Sequence, residues 1–353
     1  MTWVTPKSDF IPKKPLFICV LGNTNISKVP GLSGAGKTPE FTLLTPSGDA
    51  EIIYSGNIMK IPVMATTPPL DTPTPAVITR TALNLTKIPF KFVNAGLQTL
   101  PDPEVKLFET GAKTGGDFRK EDAVENPEKI FEKSKELGRE VADETDLPVI
   151  GESIAGGTTT AQGILYLLGY DAKASSSCEE NPLNLKEEVL NAGIKKHGLS
   201  FGCFKDKPFE AIRCLGDPMM PTVAGIVAGI KEKKPDMRIV LAGGTQMIAV
   251  YALIKHMNIP VNGIDLATTK YVEEDKTANF INLKEELGFN AYIADPGFGK
   301  SKLPGIRRYE EGTIKEGAGA GGAMFLAALS NVTQEDFLKE VENVCEILKA
   351  GRV

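Results

Sequence analysis

Apolar residues in this chain fall into short runs separated by longer amphipathic stretches. Leu16–Leu21, Phe90–Val93, Pro148–Ile150, Arg238–Leu241 and Ala291–Ala294 are too short for buried helices, and most are bounded by Gly, Asn or Asp. They read as strands. Elsewhere the apolar spacing shifts to a helical period. In 127–143, Ile130, Leu137 and Val141 share one face, and in 185–197, Leu185, Val189 and Ile194 do so less regularly. The clearest helix closes the chain, with Phe337, Leu338, Val341, Val344, Cys345 and Leu348 on one stripe. Thr333 caps it with Asp336 three residues on, Val332 and Phe337 are spaced to staple it, and Gly351 follows its end. Strands alternating with helices predict an α/β protein with a largely parallel sheet covered by helices. Residues 28–47 and 61–75 are rich in Pro, Gly, Ser and Thr and read as ordered loops near a site.

Composition narrows the function classes. The chain has 353 residues, 42% hydrophobic, with a net charge of −5. It is long enough for a large core and has no global field for nucleic acid. No apolar run reaches the roughly 20 residues of a membrane helix. Residues 1–14 are polar and do not read as a signal peptide. Cys19, Cys178, Cys203, Cys214 and Cys345 are scattered, which fits free thiols in a reducing cytoplasm. His197 and His256 are the only histidines, so a His-rich metal site is excluded and both read as structural.

The chemistry gathers at glycine. Gly151-Glu152-Ser153-Ile154-Ala155-Gly156-Gly157-Thr158-Thr159-Thr160 lies between the apolar Leu147–Ile150 and the apolar 162–169. This is a strand, a Gly/Thr turn and a helix. Such a turn aims bare N–H groups and hydroxyls at one spot, at the positive end of a helix, where a phosphate binds. The device recurs at Ala242-Gly243-Gly244-Thr245, which argues for a phosphorylated small-molecule ligand. A third cluster, Ile314 to Ala323, puts Glu316 at a loop-to-helix junction. The small residues after it, Gly317 and Gly319 among them, let a ligand approach the backbone closely, and Glu316 is a candidate general base.

Two further stretches compete for a role. Gly31–Thr38 fits the pattern G-x-x-x-x-G-K-[ST], but that motif needs a strand directly before and a helix directly after. The nearest strand ends near Leu21, and no useful helix is expected before Pro46. The sequence favours a glycine loop near a site over an ATPase, with Lys37 solvated or touching an anion. Residues 295–309 are rich in Gly, Pro and basic side chains and read as a mobile flap over an anionic substrate or as a solvated loop.

On these motifs the chain resembles the nicotinate-nucleotide–dimethylbenzimidazole phosphoribosyltransferase family of cobalamin biosynthesis, in a form typical of archaea. The bacterial pattern G-E-M-G-I-G-N-T-T lies without gaps on Gly151 to Thr159, and L-G-E-G-T-G-A lies on Ile314 to Ala320. Gly216-Asp217-Pro218 through Gly229 resembles the family's G-D-P and the helix after it. The likeness runs from about residue 76 to residue 329. It implies a Rossmann-like α/β fold with a smaller helical part, and a homodimer. It divides the chain into 1–75 (an N-terminal segment with site loops), 76–330 (the phosphoribosyltransferase domain) and 331–353 (the C-terminal helix).

The implied reaction moves the 5-phosphoribosyl group of nicotinate mononucleotide to a nitrogenous base, in the making of a cobamide lower ligand. Glu316 takes the family's catalytic position. Gly156, Gly157, Thr158, Thr159 and Thr160 would cradle the 5′-phosphate, with Lys186 as counter-charge. Gly243, Gly244 and Thr245 would hold ribose or phosphate, and Glu152 would bond ribose hydroxyls or brace the turn. Nicotinate leaves as its ring charge is cancelled, so no metal or cofactor is expected. The chain departs from the bacterial motifs at Ser153, Gly157 and Ala242, and near Thr66–Pro75 the acceptor-lining segment has no clear counterpart. The donor half thus reads as preserved and the acceptor as another benzimidazole or a purine. A nucleotide-binding protein without catalysis is the rival reading.

Overall fold

The computed structural model describes residues 3–61, 66–67 and 72–349. Its strands are β1 (Val4–Thr5), β2 (Pro15–Gly22), β3 (Thr66–Thr67), β4 (Thr72–Pro73), β5 (Phe90–Ala95), β6 (Leu107–Glu109), β7 (Leu147–Ile154), β8 (Ile239–Ala242), β9 (Ile264–Thr269) and β10 (Ala291–Ala294). The helices are α1 (Pro39–Ser55), α2 (Ala76–Thr86), α3 (Pro127–Glu144), α4 (Gly157–Leu168), α5 (Leu183–His197), α6 (Pro208–Leu215) and α7 (Met219–Lys233). They continue with α8 (Thr245–His256), α9 (Lys270–Glu273), α10 (Phe280–Leu287), α11 (Pro304–Arg307), α12 (Ala320–Leu329) and α13 (Gln334–Leu348).

Eight strands form one sheet in the order β1-β10-β9-β8-β7-β2-β5-β6. Only β1, at the edge, runs antiparallel to its neighbour. The other strands are covered on both faces, which is why their sequences read as apolar runs. In β2, Leu16, Ile18 and Val20 face one layer of core, with α3, α4, α6, α7, α8 and α10. Phe17, Cys19 and Leu21 face the other, with α1, α2, α12 and α13. This is the expected mostly parallel α/β fold. In the first layer α3 lies on α7 with backbones nearly touching. A Cβ at Gly138 would stand 2.1 Å from the Ile226 carbonyl oxygen, and one at Gly229 2.2 Å from that of Lys135.

Several expectations need correction. The stretch 28–47 is not all loop, because α1 begins at Pro39 and runs through Pro46 for 17 residues. Thr38 caps it and Pro39 tolerates the first turn, where no N–H is needed. A helix-interior proline costs about 3 kcal/mol. Burial of Leu43, Ala50, Ile52 and Ile53 offsets that cost. No helical period was legible because Ser47, Asp49 and Glu51 are buried too. Glu51, for one, accepts the N–H groups of Met59, Lys60, Ile61 and Asp102.

Strand β7 continues through Glu152 and Ser153 to Ile154, so the turn before α4 is only Ala155-Gly156. Strand β9 does not stand out in the sequence because Asp265 interrupts a short apolar run. The closing helix is capped at Thr333, which accepts the Asp336 N–H at 3.1 Å. It ends at Leu348 with Lys349 left-handed, and Gly351 lies outside the described residues. His197 bonds the Phe118 carbonyl, and His256 bridges Tyr170 and the Lys205 carbonyl, both structural roles.

Candidate active site

A cavity opens beyond the carboxyl ends of β7, β8 and β9, where ligands bind in open parallel sheets. Both glycine devices meet there. Gly156, Gly157 and Thr158 bring the start of α4 to its wall, and Gly244, Thr245 and Gln246 bring the start of α8. Two helix N-termini therefore aim unsatisfied N–H groups and positive partial charge into one space. Gly156 makes the turn with φ +83, a conformation that favours glycine.

The third glycine cluster acts by close packing. A Cβ at Gly319 (φ +68) would stand 2.8 Å from the Gly151 Cα, and one at Gly322 2.3 Å from the Ala242 Cβ. The start of α12 is thus pressed onto β7 and β8, which carries Glu316 to the cavity. Of the small residues expected to admit a ligand, Gly317 lines the cavity, whereas Gly319 lies against β7. Gly319→Ala is expected to destabilise the fold by about 2–4 kcal/mol, combining backbone strain with overpacking. Gly288→Ala, at φ +78 with no atom within 4 Å of the added Cβ, should cost only the backbone part, about 1 kcal/mol. Urea denaturation of both variants checks this, and equal losses would refute the packing argument.

Glu316 lines the cavity, and its carboxylate accepts the N–H groups of Gly317 (3.2 Å) and Gly321 (3.1 Å). Desolvation outweighs these bonds and pushes its pKa up to about 7. Glu152, 2% exposed, also lines the cavity and accepts the Ile154 N–H at 3.0 Å. Burial, then the charges of Asp217, Glu316 and Asp49, push its carboxyl to about 8. Asp49 and Asp217 are themselves raised by burial to about 6. Strongly raised carboxyls gathered in a cleft mark it as a candidate functional site.

The remaining predicted residues stand further back. Thr160 bonds Asp217 at 2.5 Å, and Thr159 is buried in the first turn of α4, behind the cavity wall. Gly243 lies under the wall, where a Cβ would meet Met247 at 2.8 Å. Lys186 does not line the cavity. It is fully buried, donates to the carbonyls of Ala174 (3.1 Å) and Ser175 (2.6 Å), and burial lowers its pKa to about 7. Lys315 does line the cavity and donates to the Ser176 carbonyl at 2.9 Å. Together the two lysines tie back the carbonyls of residues 174–176 and leave Ser175, Ser176 and Ser177 along the cavity.

The sequence alone does not mark that serine wall, Lys315 or Asp49 on α1 as cavity residues. A triple serine has no periodicity to flag it, and Asp49 was hidden by the expectation of a loop. In Gly31–Thr38, Ser33 and Ala35 line the cavity and the Gly34 N–H donates to Ser177. Lys37 is exposed and is not among the lining residues; α1 does follow the loop directly, against expectation, but the nearest strand, β2, ends at Gly22, so the strand that the nucleotide-binding motif needs is missing. Residues 295–309 contribute nothing to the lining. Phe298, Leu303, Ile306 and Tyr309 are buried in the second core layer, so the flap reading is corrected. Among the described residues, no helix is long and apolar enough to cross a membrane.

The architecture is similar to that of solved phosphoribosyltransferases. The nicotinate-nucleotide–dimethylbenzimidazole phosphoribosyltransferase of Thermus thermophilus matches with a TM-score of 0.59, covering 91% of this chain and 83% of that one at 16% identity. A structure of CobT from the same bacterium matches with a TM-score of 0.58 at 16% identity, over 90% of this chain and 83% of its own. At such identity the likeness concerns the fold. By sequence the chain belongs to the UPF0284 family. It is 55% identical to the UPF0284 protein of Methanosarcina mazei over 99% of this chain and all of that one. It is 44% identical to that of Thermococcus onnurineus over 94% and 97%. These relatives are archaeal, as the motif resemblance implied. No family model matches the chain.

Proposed function

We propose that the protein transfers the 5-phosphoribosyl group of nicotinate mononucleotide to a nitrogenous base. The observation that carries this reading is the meeting of Glu316 with the N-termini of α4 and α8 in one cavity. The 5′-phosphate would rest on the N–H groups of Gly157 and Thr158, with Thr245 and Lys315 beside it. Lys186 would act at one remove, through the carbonyls of Ala174 and Ser175.

In the reaction, a ring nitrogen of the base attacks C1′ with its lone pair as the bond to the pyridinium nitrogen breaks. The released pair stays on nicotinate, whose ring charge is thereby cancelled. The new riboside is cationic until its other ring N–H gives up a proton, and Glu316 accepts that proton. A carboxylate titrating near 7 is suited to this, being ionised often enough to act and basic enough to pull. The products are nicotinate and an α-riboside phosphate. Chromatography of nicotinate released from its mononucleotide, with and without base, tests the reading. Base-dependent release is expected. Nucleotide binding without release for any base would instead favour a binding protein.

A further inference from the structure

We infer that Asp49 selects the acceptor: the base taken here carries a hydrogen-bond donor, a hydroxyl or an amino group, on its six-membered ring. This rests on the transferase reading above.

Asp49 sits on α1 and lines the cavity although it is only 2% exposed. Its Oδ1 accepts the Thr74 hydroxyl at 2.6 Å and its Oδ2 accepts the Ser153 hydroxyl at 2.6 Å. A carboxylate has about four acceptor sites, so two donors leave it half satisfied. Among the described residues, no lysine or arginine pairs with it. Burial raises its pKa to about 6, which leaves it ionised at neutral pH. A buried anion with spare acceptor capacity, facing a cavity, is costly unless a ligand donates to it.

The position fits the acceptor rather than the sugar phosphate. The wall from Asp49 is continuous with Glu316 through Thr74 and Pro75, since a Cβ at Gly317 would stand 3.2 Å from the Pro75 ring. Thr45 and Ser33 extend the same polar wall. A fused heterocycle whose ring N–H meets Glu316 lays its far edge along this surface. Methyl groups there would strand the carboxylate, and a phosphate would be repelled by it. A hydroxyl or amino group would donate to it.

The wild-type protein tests this directly. Transfer from nicotinate mononucleotide is measured with 5-hydroxybenzimidazole, adenine and 5,6-dimethylbenzimidazole at about pH 7.5, above the Asp49 titration. The hydroxylated or aminated base should exceed the dimethyl base in kcat/KM by about ten-fold or more, and the two arms identify which donor is read. In Asp49→Leu that preference should vanish, while Asp49→Asn, which still accepts, should keep part of it. A dimethyl base used as well as or better than both others by the wild type overturns the inference. If no base is turned over, the transferase reading fails. Calorimetric base binding then decides this inference alone: tighter binding of a donor-bearing base supports it, and equal or tighter binding of the dimethyl base overturns it.

Discussion

Glu316→Gln should lower kcat by about 100- to 10,000-fold while leaving the Kd for nicotinate mononucleotide unchanged. The glutamine keeps the shape and can still accept from Gly317 and Gly321, so α12 and the cavity wall stay in place. What it lacks is a basic oxygen for the acceptor's proton. The proposed phosphate cradle, at the starts of α4 and α8, lies outside this substitution. In the wild type, kcat should fall about tenfold per pH unit below about pH 7, because protonated Glu316 cannot act as a base. Turnover assays with separate nucleotide titrations check both claims. A variant that binds normally and turns over within a few-fold of wild type would remove Glu316 from the reaction.

Glu152→Gln should raise the melting temperature at pH 8 and leave it nearly unchanged at about pH 4, below the unfolded value. The folded protein holds a proton on Glu152 up to about pH 8, whereas an unfolded glutamate releases it near 4.5. The folded state therefore binds more protons between these values, and stability falls as pH rises through that window. Each unit of displacement is worth about 1.4 kcal/mol, so the loss from this residue is a few kcal/mol. Below about pH 4.5 both states are protonated and nothing is lost. Asp49, Asp217 and Glu316, all raised by burial, push the same way. Glutamine retains the acceptor for the Ile154 N–H and carries no charge to bury. Calorimetric melts across pH test this, and a wild-type melting temperature rising from pH 5 to pH 8 would contradict it.

Sequence alone determined much of this protein. The apolar runs at Leu16, Phe90, Pro148, Arg238 and Ala291 are strands because a strand buried on both faces has only apolar positions to offer. The two Gly-Gly-Thr devices lead into helices because glycine permits the turns and the apolar segments beyond supply the buried faces. Glu316 was legible from its place between a loop and a run of small residues. These features are local, written within a dozen residues of one another. The tertiary structure decided the rest. Read locally, Pro46 and the glycines before it make 28–47 a loop, whereas long-range burial of Leu43, Ile52 and Ile53 makes a helix from Pro39 through Pro46. That helix delivers Asp49 to Ser153, 104 residues away in the chain. Packing also withdrew Lys186 from the cavity and installed Ser175–Ser177 and Lys315 along it. Charge and spacing say that a lysine is near a loop. Only the packed chain decides whether its ammonium faces a ligand or the carbonyls behind it, because that choice depends on which groups folding has removed from water.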